Sequence, residues 1–130
     1  MSASARRYLF DQLAAIAAEA QEVDQLQQEI SEHDDFGTAR GSARFADNST
    51  LFFTLVLEVD DDAVVVLKYR FHYAAPGNET VFRYDNSGHH RKVATFPHHK
   101  HVGPDESVVA SGPVTVEDVL VEVRAAMKGR

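Results

Sequence analysis

Apolar residues recur at intervals of three or four over residues 5–32. Leu9, Leu13, Ile16, Ala20, Val23 and Ile30 fall on one side of a helical wheel, with Glu, Gln and Asp opposite. Ser4 is a suitable N-cap, and Asp34, Asp35 and Gly37 supply a stop. The spacing predicts one long amphipathic helix over 5–32. Such a helix packs over a sheet, and part of so long a stripe is free for a partner chain or a second copy, giving a homodimer through this helix.

Beyond residue 40 the period shortens to two. Strands are expected at 40–46, 49–59, 63–73 and 80–85, separated by Asp47-Asn48, by Asp60-Asp61-Asp62 and by Ala74 to Asn78. Leu51, Phe53, Leu55, Leu57 and Val59 share one face of the second strand. In the third, Tyr69, Phe71 and Tyr73 alternate with Lys68, Arg70 and His72; in the fourth, Phe82 and Tyr84 alternate with Arg83 and Asp85. Residues 98–102 are extended, and 107–111 form a short edge strand. Pairing Tyr73 with Thr80 sets Arg70 opposite Arg83 and Lys68 opposite Asp85. Two adjacent arginines repel unless an anion lies between them. A last helix over 115–129 is capped by Thr115, with Asp118 three residues on, and ends at Gly129.

The order helix, strands, helix is that of an α+β domain. The expectation is an antiparallel four- to five-stranded meander, with the sheet and a histidine-rich site over 40–112 and a helix at each end. A chain of 130 residues makes one domain with a real core. The absence of cysteine excludes disulfides and thiolate metal sites and fits a cytoplasmic protein. No apolar run reaches membrane-spanning length, so no membrane partner is expected.

A formal net charge of −7 argues against nucleic acid as a partner, but the charge is unevenly spread. Residues 63–103 hold six Lys/Arg against two acids, in an otherwise acidic chain. Within them, the stretch Phe82 to Gly103 carries five of the seven histidines: His89, His90, His98, His99 and His101. Arg83, Arg91, Lys92 and Lys100 are interspersed, and Asp85 is the only acid.

Imidazoles beside fixed cations suit proton transfer on a phosphodiester. The five histidines are the candidate catalytic groups. Arg70, Arg83 and Lys100 are candidates to hold phosphate, Tyr84 or Phe96 to stack on a base, and Asp85 to orient an imidazole. This chemistry needs no cofactor and no metal. His99 and His101 share one side of a strand and invite comparison with an open metal site, but the flanking cations oppose a dication. A non-catalytic module that binds an anion or a protein through the basic hairpin is a further alternative.

The two halves of this stretch, FRYDNSGHH and TFPHHKHVG, resemble the paired signature of the TumE family, toxins of prokaryotic toxin–antitoxin pairs. Tyr84, Asp85, Asn86, His89 and His90 match its first half; Thr95, Phe96, Pro97, His98, His99, Lys100 and His101 match its second. The likeness extends over roughly residues 40–125. It implies a small cytoplasmic toxin with an antitoxin partner and with RNA as its target, through ribonuclease activity. The sequence departs at Ser87-Gly88, where the family tends to have Ala-Pro, and at Arg91-Lys92, which adds positive charge.

Overall fold

A computed structural model describes residues 3–130, apart from the side chains of Gln25 and Leu26. Helix α1 spans Ala5–Glu19 and α2 spans Val116–Lys128. Between them run β1 (Glu22–Ile30), β2 (Phe36–Arg44), β3 (Thr50–Asp60), β4 (Ala63–Ala74), β5 (Thr80–Asp85), β6 (His99–Val102) and β7 (Ser107–Ala110). All seven form one antiparallel sheet in chain order, a meander without crossovers.

Two expectations are corrected. The first helix stops at Glu19 instead of continuing to residue 32, and the sheet has seven strands rather than four or five. The break falls at Ala20, whose backbone is extended (φ −89°, ψ 149°), and Gln21 N–H then donates to the Arg44 carbonyl at 2.8 Å. Residues 22–30 are poor strand formers by composition. Pairing with β2 satisfies their backbone, and Arg44 Nη2 meets Glu22 Oε2 at 2.8 Å across the pair. Tertiary pairing overrides a local helical preference here.

Both helices cover one face of the sheet. Ala5, Leu9 and Ile16 of α1 and Val116, Val119, Leu120 and Val123 of α2 are buried with Ala39, Ala43, Leu51, Phe53, Leu55, Leu57, Tyr69, Phe71, Tyr73 and Phe82. Leu9, Leu13, Ile16 and Ala20 of the predicted stripe thus pack within the chain. Close approach of α1 to β2 needs Gly37: a Cβ there would stand 2.9 Å from Leu9 Cδ1. The capping box of Thr115 and Asp118 starts α2 as the sequence suggests. Among the described residues no helix is long and apolar enough to cross a membrane.

The alternation in β3, β4 and β5 is as read from the sequence, but one register is not. Ala74 pairs with Thr80, yet Tyr73 pairs with Phe82, because a bulge absorbs Val81. Arg70 therefore lies opposite Asp85, and His72 opposite Arg83. The two arginines are not neighbours across the hairpin, so no anion is needed between them.

Candidate functional site

The face of the sheet away from the helices gathers the polar side chains of β4, β5 and β6. Asp85 pairs with His99 and Arg83 with His101, and paired residues share a face. The loop after β5 brings His90 over them. The ring centroids of His90, His99 and His101 lie 4.8, 5.0 and 5.2 Å apart, each pair edge-on. One nitrogen from each falls within 4.8 Å of the others.

Hydrogen bonds fix the protons of His101. Its Nδ1–H donates to the Glu106 carbonyl at 3.3 Å, and its Nε2 accepts from Arg83 Nη2 at 2.9 Å. A carbonyl cannot donate and a guanidinium cannot accept, so the tautomer follows. Burial, reinforced by the nearby Arg83 charge, holds His101 below the ordinary histidine value, although contact with Glu106 and Asp85 opposes this. His101 is therefore neutral at pH 7.

Arg83 is held at three points. Nε donates to Asp85 Oδ2 at 3.2 Å, Nη1 to Glu106 Oε1 at 2.9 Å, and Nη2 to His101. Glu106 has no motif to mark it in the sequence; the turn between β6 and β7 alone delivers it.

Asp85 Oδ1 accepts from the Ser87 N–H at 3.0 Å and lies 2.8 Å from His99 Nε2. Burial pushes the Asp85 carboxyl up, but the bonds from Ser87 and the charges of His99 and Arg83 outweigh it and hold it below its usual range. It is a carboxylate. His99 is fully buried and donates Nδ1–H to the Pro97 carbonyl at 2.9 Å, across the turn that contains the cis Phe96–Pro97 peptide. Its Nε2 has no hydrogen-bond partner in line, and is the one buried side-chain polar atom so left among the described residues.

Other residues singled out in the sequence lie elsewhere. His98 stacks on Tyr69, with centroids 5.7 Å apart and planes 12° apart, and its Nδ1 is 2.8 Å from the Tyr69 hydroxyl. Burial pushes Tyr69 up to about 12, so it stays a phenol and His98 is part of the packing. Tyr84 and Lys100 pair with each other on the helix-covered face. Both bind Glu122 of α2, Tyr84 Oη at 2.5 Å and Lys100 Nζ at 2.7 Å. His89 and Phe96 are exposed in the loop and join none of the trio's ring contacts. Arg70 remains on the site's face and exposed, with no carboxylate within 4.0 Å among the described residues.

A buried carboxylate, three imidazoles and a fixed guanidinium can shuttle protons around a phosphate and neutralise its charge. The family model described as "Toxin TumE" matches residues 11–130 of the chain. No curated protein and no solved structure matches it.

Proposed function

This chain belongs to the TumE family of toxins, and from that premise we propose that it acts by cleaving RNA, with an antitoxin as its partner in the cytoplasm. The observation that carries the reading is the network joining His99, Asp85, Arg83 and His101 beneath His90. RNA contains its own nucleophile, the 2′-hydroxyl. A base takes the hydroxyl proton, the new O–P bond forms as the bond to the 5′-oxygen breaks, and an acid returns a proton to that oxygen. The products are a 2′,3′-cyclic phosphate and a 5′-hydroxyl.

Neutral His101 suits the base once an entering phosphate draws an Arg83 N–H away from its Nε2. His90, the least buried of the three, suits the acid. Arg83 and Arg70 offset the growing charge on phosphate. His99 and Asp85 position the pair. The test is RNA cleavage by the purified, folded chain in excess chelator, with analysis of the product ends. RNA left intact by wild type would remove the reading.

One observation favours a second reading. The unpartnered Nε2 of His99 and the three converging imidazoles also describe an open site for a zinc-like dication, with Asp85 adjacent. The bond from Arg83 to His101 opposes it. Cleavage abolished by chelator and restored by zinc, with one equivalent of metal by elemental analysis, would replace the first reading by this one.

A further inference from the structure

The same face of the sheet continues well past the histidine site. Cross-strand pairing forms one row through Gln27, Arg40, Thr54, Arg70, Asp85 and His99. A second row runs through Ser42, Phe52, His72, Arg83 and His101. Between them they line a cleft of about 880 Å³ over β2, β3 and β4, with Arg40, Ser42, Phe52, Thr54, Arg70 and His72 in its walls.

Three properties of this cleft point to one kind of ligand. Arg40 and Arg70 are exposed, and neither has a carboxylate within 4.0 Å among the described residues. Across β2, β3 and β4 neither row contains an acid; in the edge strand β1 the first row ends on Gln27 and the second on Asp24. Phe52 occupies a position where the alternation calls for a polar residue; it is 42% exposed, with its ring 5.6 Å from that of His72. Arg40 Nη2 donates only to the neutral Gln27 amide oxygen, at 3.2 Å, so both charges are left without a counter-ion. An exposed aromatic between two such cations is the composition of a stacking platform with phosphate contacts on either side.

We infer that this cleft is a track for single-stranded RNA, leading from the histidine site across β4 and β3 with Phe52 as its base-stacking platform. The inference rests on the RNA-cleaving reading above. Three strand spacings separate His101 from Phe52, about 14 Å. That distance exceeds a single nucleotide and suits a short oligonucleotide. The track contributes stacking and charge, not base-edge recognition, so it tolerates sequence and demands length.

The experiment compares a dinucleotide with an eight-nucleotide single-stranded RNA as substrates of the full chain. It also measures binding of the labelled eight-mer to His90→Ala by anisotropy, with and without Phe52→Ala or Arg40→Ala. Wild type should prefer the longer RNA in kcat/KM, and Phe52→Ala should cut that preference about tenfold and weaken binding by a similar factor. Phe52→Trp should keep both, which separates lost stacking from lost folding. If Phe52→Ala lowers both substrates equally, or leaves binding unchanged, the track is overturned. Protection of Phe52 by the antitoxin but not by RNA would likewise overturn it and assign the cleft to protein. If wild type cleaves neither RNA, yet binding depends on Phe52 and Arg40, the cleavage reading falls and the track stands.

Discussion

Nε2 of His99 lies 2.8 Å from Oδ1 of Asp85, yet no hydrogen bond runs in line between them. Both atoms are held from behind. His99 is anchored through Nδ1 to Pro97, and Asp85 through Ser87 and Arg83. Pairing of β5 with β6 sets the two groups close together. The carboxylate is satisfied by Ser87 and Arg83, whereas the buried His99 Nε2 is not, and an unsatisfied buried nitrogen costs stability.

Asp85→Asn keeps the shape and removes the charge. The amide still accepts from Ser87 but no longer offsets Arg83 or an imidazolium. Single-turnover RNA cleavage should fall about 100-fold, with the circular-dichroism spectrum unchanged. A variant as fast as wild type would show that the carboxylate has no part in the chemistry.

His98 and His99 are adjacent in sequence but differ in surroundings. His98→Ala leaves the buried Tyr69 hydroxyl without its partner and should cost about 1–3 kcal/mol of stability, with cleavage little changed. His99→Ala should abolish cleavage. Chemical denaturation and cleavage rates on both variants check this; the reverse order of effects would contradict the placement of the two rings.

Lys100 and Arg70 are cations on opposite faces of the sheet. Lys100→Ala breaks its pair with Glu122 and its approach to the Tyr84 ring, so it should lower stability by roughly 1–2 kcal/mol while sparing RNA affinity. Arg70→Ala should reduce the slope of log affinity against log salt by about one and spare stability. Equal salt slopes for wild type and Arg70→Ala would remove Arg70 from the phosphate contacts.

Burial, aided by Arg83, lowers the value of His101; burial, aided by Arg70 and Arg83, lowers that of His72. As pH falls, the unfolded chain takes up these protons before the folded one does. Their contribution to stability is complete above about pH 6.5 and is lost as pH falls through the lower folded values. The Tm should therefore fall from pH 7 to about pH 5, less steeply for His101→Gln. A Tm independent of pH over that range would refute the assignment. With His101 as base, the acid limb of cleavage should also lie below about pH 6.5.

Much of this was legible in the sequence. Alternation in 68–73 and 80–85 set which side chains of β4 and β5 face the core, since a strand has only two faces. The density of histidine and cation between Phe82 and Gly103 marked the stretch whose His90, His99 and His101 come together as the candidate site, and Asp85 was the one acid available there. The caps of α2 were equally plain.

Tertiary structure decided the rest, because local pattern does not encode pairing partners. Residues 22–30 became a strand only when β2 offered its backbone, against their own helical spacing. The bulge at Val81 shifted the hairpin register and set Asp85, not Arg83, opposite Arg70. Pairing of β5 with β6 then sorted the histidines: His99 and His101 to the polar face, Lys100 between them to the helix-covered face, and His98 onto Tyr69. A sequence names the groups that can do chemistry; which of them meet depends on strand register, where one inserted residue changes every neighbour beyond it.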